Sequence, residues 1–407
     1  EGRTGGRKVV VVGPLAAHAW AQIDRVHRPT VEHVVATETG TVPGGDSAFD
    51  DLLGTEQVAV IEVDDDDLAA LIFTSGTAGS PRAALLSHGN LMANLEQGRS
   101  TDGINEHDVV FGVLPVFHIF GLNVVLGLTL ARGATVVLVQ RFDPFTALET
   151  ITERGITVIP GAPPLWLAFS HFDDAPADSF ATVRLALTGA AKMPEEATRH
   201  LQQRFGLILR EGYGLTEASP VVTSSAGLTP KVGSVGKVLA GMQVRLVDEN
   251  GDDALEGDSG EIWVKGPNVF KGYLDEPEAT ARVLTADGWL RTGDIAVVDD
   301  DGYLYLVDRA KDLVIVSGFN VYPAEVEEVL MEHPDVLEVG VVGVPHPHTG
   351  EAVKAFVVLK PGATAHEDTL VSWCLDNLAR YKCPAKILFV DQLPRNLSGK
   401  LLRRSLV

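Results

Sequence analysis

The stretch LIFTSGTAGSPRAALLSHGNL (Leu71–Leu91) places two short apolar segments on either side of a loop rich in hydroxyls and glycines. Its flanks predict strand, loop and strand. The glycines let backbone N–H groups point inward, Thr74, Ser75 and Thr77 add hydroxyl donors, and Arg82 adds positive charge, which together would suit a phosphate. A Walker loop fits poorly, because it needs Gly-Lys-Ser/Thr entering a helix. Taken alone, a flexible polar turn would account for the stretch as well.

Composition excludes several classes of protein. The chain has 407 residues, a length that predicts two or more domains. Its net charge is −22 and it has no long basic run, so we expect no nucleic-acid partner. The two cysteines, Cys374 and Cys383, make no disulfide framework or zinc pattern and favour a reducing cytoplasm. Glycines and Arg132 interrupt the longest apolar runs, so no integral membrane segment is expected.

The first two thirds of the chain alternates apolar strands with helices, which predicts parallel sheets covered on both faces. Helices are predicted at Pro144–Arg154 and Pro194–Phe205. The predicted strands are Lys8–Val12, Val58–Ile61, Ala70–Phe73, Val109–Val113, Thr135–Val139, Val158–Ile159, Leu185–Thr188 and Leu207–Glu211.

A change of pattern near Gly233 predicts an antiparallel module with a hairpin turn at Asp301-Gly302. Beyond it, two helices and three strands predict a compact α+β tail. The fold class predicted is therefore α/β, with a large domain of doubly wound sheets and helices plus this β module, and a small C-terminal α+β domain. We place the large domain at 1–309, with its β-rich part at about 233–309, and the small domain at 310–407.

Several further segments support a family resemblance. With the loop they resemble, in order, the adenylate-forming superfamily of acyl-CoA synthetases, peptide-synthetase adenylation domains and luciferases, and within it the fatty-acid–CoA ligase branch. The segments are LPVFHIFG (Leu114–Gly121), LTGAA (Leu187–Ala191), EGYGLTE (Glu211–Glu217), GWLRTGD (Gly288–Asp294), DRAKDLVIVSGFNVYPAEVE (Asp308–Glu327) and PRNLSGKLLRR (Pro394–Arg404). The resemblance implies activation of a carboxylic acid by ATP and transfer to a thiol such as that of CoA.

The resemblance also implies an ATP site. Thr216 would bond the α-phosphate and Glu217 would hold Mg²⁺, although a Thr-Glu pair after a Gly-rich turn is also an ordinary helix start. Tyr213 would lie on the adenine, and Asp294 would bind the ribose with help from Arg309, although Asp294 alone is typical of a turn. The implied phosphate loop consists of Thr74, Ser75, Gly76, Thr77, Gly79 and Arg82. The nucleotide would also contact Gly189, Ala190, Glu211, Gly212 and Gly214.

Four more residues carry implied roles beyond the nucleotide. His118 would lie on the carboxylate side of the acyl entrance, although a lone histidine among apolar residues is more often part of a core. Lys400 would stabilise the charge that develops in adenylation, although the composition of its segment alone indicates a surface lysine. Lys311 matches the hinge about which the small domain rotates. Gly318 would line the channel for the pantetheine arm of CoA, although a plain hairpin turn would also explain it.

Departures from the family pattern leave alternatives open. Arg82 and Ala83 stand where lysine and glycine are usual, and Ala78 replaces a hydroxyl residue. The large domain of the family starts earlier, and the chain begins with Glu1, so we expect part of the large domain to be missing upstream. Three activities fit the sequence: a CoA ligase for a medium- or long-chain fatty acid, an acyl-AMP ligase that loads a carrier protein, and a weakly active or inactive nucleotide-binding homologue.

The substrate and the oligomeric state are less constrained. No aspartate accompanies His118 in LPVFHIFGLNVV to meet an amine, and a buried ammonium without a partner is costly, so an α-amino acid substrate is disfavoured. The apolar run after His118 and the segment IPGAPPLWLAF (Ile159–Phe169) are predicted to wall an acyl pocket. A homo-oligomer is compatible with the sequence.

Overall fold

The computed structural model of the chain describes residues 9–22, 31, 33–38, 42, 45, 47–52, 54, 61–74, 82–172, 174–248, 250–309, 312–317, 319–395 and 401–406. The chain divides into two compact units, Glu1–Glu62 and Val63–Val407. The first unit contains a three-stranded parallel sheet in the order β1-β2-β3 and a short helix, α1. Their bounds are β1 (Val9–Val12), α1 (Ala17–Ala21), β2 (His33–Ala36) and β3 (Ser47–Ala48). The predicted strand Val58–Ile61 lies outside the described residues except for Ile61, which belongs to no strand.

The second unit begins with the hairpin that carries the quoted loop. Strands β4 (Leu68–Thr74) and β5 (Arg82–Ser87) pair antiparallel with Thr74 opposite Arg82, which confirms the two predicted flanking strands, whereas residues 75–81 between them lie outside the described residues. Helix α2 (His88–Arg99) follows at once, because the Ser87 hydroxyl accepts the Asn90 N–H and the Asn90 side chain accepts the Ser87 N–H. Both bonds fix the direction in which the chain leaves the hairpin.

A seven-stranded sheet forms the centre of the second unit, in the order β12-β11-β10-β9-β8-β6-β7. Its central strands run parallel, and β11 and β12 are antiparallel additions at one edge. The helices between the strands cover the sheet, and Trp166 and Phe169 of one helix are buried in a cluster with Phe111 of the sheet. The strands are β6 (Val109–Gly112), β7 (Thr135–Leu138), β8 (Val158–Gly161), β9 (Leu185–Thr188), β10 (Leu209–Gly214), β11 (Val221–Ser224) and β12 (Lys237–Val238). The helices are α3 (Leu128–Ala131), α4 (Pro144–Arg154), α5 (Pro163–Ser170) and α6 (Glu195–Phe205).

The predicted antiparallel module is a four-stranded sheet in chain order. Its strands are β13 (Gln243–Val247), β14 (Gly260–Lys265), β15 (Leu290–Val298) and β16 (Leu304–Arg309), and helix α7 (Pro277–Val283) precedes β15. The turn between β15 and β16 forms at the predicted place. Asp299 Oδ1 accepts the N–H groups of Asp301 and Tyr303, and Gly302 adopts a φ of +80°. This hairpin brings Arg309 into register opposite Asp294.

The C-terminal part contains the two predicted helices and the three predicted strands, and two further short strands precede them. Its elements are β17 (Val314–Val316), β18 (Phe319–Val321), α8 (Pro323–Met331), β19 (Val336–His346), β20 (Gly350–Leu359), α9 (Glu367–Asn377) and β21 (Lys386–Phe389). Two hydrophobic clusters hold it together, and all their buried members lie between Val314 and Leu406. The molecule therefore has a mixed α/β fold that ends in a smaller α+β part, whereas the boundary at 309/310 and the mobility of the tail stay predictions. None of the described helices combines the length and apolar character needed to cross a membrane.

Candidate functional site

The site is built at the carboxyl ends of the neighbouring parallel strands β9 and β10, where ligands bind in open α/β sheets. Thr188 lies opposite Glu211 in register, and the chain turns sharply just beyond, where Ala190 has a φ of +70°. A methyl group added at Gly189 would lie 3.4 Å from the Gly212 carbonyl oxygen and 3.5 Å from the Phe120 ring. The predicted residues of the LTGAA and EGYG segments are thus brought together at one edge.

A tight turn after β10 carries Thr216 and Glu217. Gly214 is required at its start, because a Cβ there would lie 2.3 Å from the Pro220 carbonyl oxygen. The Leu215 N–H donates to the same oxygen at 3.0 Å, and a 3-10 turn spans Thr216–Ala218.

Buried side-chain amides hold this turn from behind. Asn268, fully buried, donates to the Ala218 carbonyl oxygen at 2.6 Å, and Asn123 donates to the Ser219 carbonyl oxygen at 2.7 Å. If the turn moved, these buried amide groups would lose their hydrogen-bond partners and remain without water, which costs free energy. The two bonds therefore make the turn rigid. Sequence reasoning missed both asparagines, since nothing local distinguishes them from loop residues.

Tyr213 and Asp294 meet although 81 residues separate them. The Tyr213 hydroxyl donates to Asp294 Oδ2 at 2.6 Å, and both side chains are buried. Asp294 reaches this point on β15, whose neighbour β16 presents Arg309 in register. The structure therefore joins an aromatic ring and a carboxylate to which the family resemblance gives contacts with two parts of one nucleoside.

Glu217 lies in a small charged network. Its Oε1 accepts a hydrogen bond from the Tyr273 hydroxyl at 2.7 Å. Burial, followed by the negative charge of Glu217, raises the pKa of Tyr273, so the phenol stays a donor. The Arg82 guanidinium lies 5.6 Å from the centre of the Tyr273 ring, and its Nε donates to Glu276 Oε2 at 2.9 Å.

This network changes the environment expected for Arg82. Its side chain is 16% exposed and engages a carboxylate from the GYLDEPEAT segment (Gly272–Thr280). Sequence reasoning did not single out that segment. Tyr273 contacts Glu217, which is 56 positions away, and Glu276 contacts Arg82, which is 194 positions away. Nothing in the local sequence around Tyr273 and Glu276 indicates either contact.

His118 lies half-buried in a sharp turn next to the strand ends. Its backbone N–H donates to the Pro115 carbonyl oxygen at 3.0 Å, and its Nδ1 accepts the Phe120 N–H at 3.2 Å. Because the Phe120 ring reaches Gly189, the turn lies beside the LTGAA segment. Within the predicted acyl-pocket segment, Trp166 and Phe169 pack in the core and show no exposed surface.

Glu211 is the site residue with the most perturbed carboxyl group. Burial raises its pKa to about 7, Glu195 adds to the rise, and Lys192 opposes it. A buried carboxyl group whose pKa lies near neutrality is typical of functional sites.

The structure leaves part of the predicted set untested. Outside the described residues lie Ser75, Gly76, Thr77, Gly79, Lys311, Gly318 and Lys400, and for Arg309 only the backbone is described. Across the ranges that the structure covers, no three His, Cys, Asp or Glu side chains are grouped to hold a metal ion. Glu217 thus offers a cation one carboxylate, and a hard cation would need other oxygen ligands from a bound molecule.

Comparisons with known proteins cover both parts of the chain. A family model of AMP-binding enzymes matches residues 4–274, and a model of the AMP-binding enzyme C-terminal domain matches residues 325–400. The long-chain-fatty-acid–CoA ligase of Bacillus subtilis is 39% identical over 358 residues, which are 87% of this chain and 64% of that protein. The feruloyl-CoA synthase of an Amycolatopsis species is 39% identical over 381 residues, 93% of this chain and 76% of that protein. The chain thus spans about two thirds to three quarters of these relatives' length.

A solved structure shows the same fold. ATP-bound MatB from Rhodopseudomonas palustris superposes with a TM-score of 0.90 at 35% identity, covering 98% of this chain and 78% of that one.

Proposed function

The chain belongs to the AMP-binding enzyme family, and we propose that it is an ATP-dependent acyl-CoA ligase. It would join a carboxylic acid to ATP, forming acyl-AMP and pyrophosphate, and then transfer the acyl group to the thiol of CoA. The relatives named as CoA ligase and CoA synthase support this activity, and the ATP-bound structural neighbour supports the nucleotide.

The contact between Tyr213 and Asp294 carries the proposal. It lies on the strand end that leads directly into the turn with Thr216 and Glu217. An adenine on the ring of Tyr213, a ribose on Asp294 and a phosphate at Thr216 would follow each other in the order of the parts of AMP. Ala190 and Gly189 support this placement, since they leave the end of β9 without bulky side chains.

Adenylation brings two anions together, so the protein's task is charge neutralisation and positioning. Mg²⁺ would be held by Glu217 and by phosphate oxygens, and would supply neutralising charge. Thr216 would donate to the α-phosphate. By resemblance, Lys400 would approach the reacting centre for this step and leave for the second one, with Lys311 at the hinge.

The acid is proposed to be a medium- or long-chain fatty acid. The Bacillus relative supports an aliphatic acid, whereas the Amycolatopsis relative, equally identical, is named for an aromatic one. The turn at His118 lies next to the strand ends and would form the carboxylate side of the acyl site.

The experiment combines the protein, Mg²⁺, ATP and CoA with a pool of straight-chain and aromatic acids, and identifies acyl-CoA by mass spectrometry. Thioester formation is the expected result, and the mass names the acid. Acyl-AMP without thioester would favour the acyl-AMP ligase that loads a carrier protein. Nucleotide binding without either product would overturn the proposal in favour of a nucleotide-binding homologue.

A further inference from the structure

Tyr273 contacts a proposed metal ligand of the site, but the family resemblance assigns it no role. Its hydroxyl donates to Glu217 Oε1 at 2.7 Å, and the tyrosine is 9% exposed. A hydroxyl carries one proton, so it engages one carboxylate oxygen and orients the other. A carboxylate held in this way is preorganised to bind a cation with its second oxygen.

Tyr273 is itself held on several sides. Its backbone N–H donates to Thr280 Oγ1 at 2.9 Å, and its ring packs edge-to-face on Phe270 with centroids 5.0 Å apart. On another side lies the Arg82 guanidinium, which Glu276 fixes through a hydrogen bond of 2.9 Å. The phenol therefore has little freedom to leave Glu217.

The segment around Tyr273 lies between two parts of the proposed ATP site. Backbone hydrogen bonds of 2.9 Å join Leu85 to Gly272 and Leu274 to Ala83, so the segment runs along β5, the strand that leaves the predicted phosphate loop. On its other side, the Phe270 N–H donates to the Glu217 carbonyl oxygen at 2.9 Å. One segment thus sets the spacing between that strand and the Glu217 turn.

We infer that Tyr273 is a positioning residue that orients the Glu217 carboxylate for Mg²⁺, with Arg82 and Glu276 bracing the phenol. The inference rests on the proposed function, in which Glu217 holds the cation. It gives Arg82 a role that differs from a phosphate contact. A guanidinium suits this role, because it can bond a carboxylate through Nε while stacking on a ring, whereas a lysine ammonium is a point charge.

The test compares Tyr273→Phe with Tyr303→Phe. Both variants remove one hydroxyl from a buried tyrosine, but Tyr303 donates to the Thr229 carbonyl oxygen instead of to the site. ATP affinity is measured by calorimetry with Mg²⁺ and again with a chelator. We expect Tyr273→Phe to weaken Mg²⁺-dependent ATP binding about tenfold or more, as loss of a carboxylate-orienting partner does, and to leave binding without metal unchanged. Tyr303→Phe should match the parent protein in both conditions.

A third variant, Glu217→Gln, separates this inference from the proposed function. If the parent gains no ATP affinity from Mg²⁺, or if Glu217→Gln keeps the full gain, the metal assignment of Glu217 is wrong. If Glu217→Gln loses the gain while Tyr273→Phe behaves like Tyr303→Phe, only the positioning role is overturned.

Glu276→Gln tests whether the Arg82–Glu276 pair braces Tyr273, without changing the phenol itself. It also replaces Tyr273→Phe as the test variant if thermal unfolding shows that Tyr273→Phe is not folded. The Glu276 side chain is 41% exposed, so the fold should tolerate the change. We expect a smaller loss of Mg²⁺-dependent ATP affinity in the same direction. Unchanged Mg²⁺-dependent ATP affinity in Glu276→Gln would contradict the bracing role of the Arg82–Glu276 pair.

Discussion

At the scale of single residues, the site depends on contacts between side chains that are far apart in the sequence. Tyr213 meets Asp294, and Glu217 meets Tyr273, each through one short hydrogen bond to a carboxylate. Hydrogen bonds to charged groups contribute about 1.5–3 kcal/mol each, more than neutral ones. The carboxylates of the site are therefore placed by the protein before any ligand arrives.

Glu211 gives a residue-scale prediction about pH. Its pKa is raised from 4.5 to about 7, so between these values the unfolded chain loses a proton that the folded chain keeps. The contribution of Glu211 to the free energy of unfolding therefore falls as pH rises from 4.5 to 7, by about 3 kcal/mol at 1.36 kcal/mol for each pKa unit. Glu211→Gln should remove this dependence. Urea unfolding at pH 5, 6, 7 and 8 measures it, and a constant difference between parent and variant would contradict the assignment.

At the scale of elements, the sequence predicts much of the fold and less of the site. Helix α4 begins and ends as predicted because its signals are local: Asp143 caps its first turn, Pro144 starts it, and Gly155 ends it with a φ of +60°. Strand β10 extends to Gly214, three residues beyond the predicted end, because pairing with β11 continues it. Such pairing is tertiary, and single-sequence patterns do not contain it.

The candidate site divides in the same way. The ordered motifs locate Tyr213, Glu217 and Asp294, but a motif does not say which side chains touch. Tyr273 and Asn268 are placed by a neighbouring segment that crosses behind the turn, so their contribution is visible only in three dimensions.

Two glycines at the ends of β9 and β10 give a prediction at this scale. Gly214→Ala places a methyl group 2.3 Å from a backbone oxygen, so we expect a loss of about 2–4 kcal/mol in the free energy of unfolding. Gly189→Ala meets only contacts of 3.4 Å or more, so the fold should stay intact while the nucleotide loses room. Chemical unfolding and ATP titration of both variants check this contrast. Equal stability of the two variants would contradict it.

At the scale of the whole molecule, the chain combines a large α/β part with a smaller α+β tail that has its own buried clusters. The net charge of −22 makes local gathering of positive groups necessary for binding an anion such as ATP. Lys400 is the cation that the resemblance adds at the reacting centre, while the charge of Arg82 at the edge of the site is paired with Glu276. Together these parts are proposed to catalyse acid-dependent adenylation.

Isotope exchange between labelled pyrophosphate and ATP tests this activity, because the exchange reports formation of acyl-AMP before any thiol is involved. Label should enter ATP only when both Mg²⁺ and a carboxylic acid are present, and Lys400→Ala should strongly reduce the exchange. Exchange without acid, release of phosphate in place of pyrophosphate, or no exchange with any acid in the pool would rule out acid-dependent adenylation by this protein.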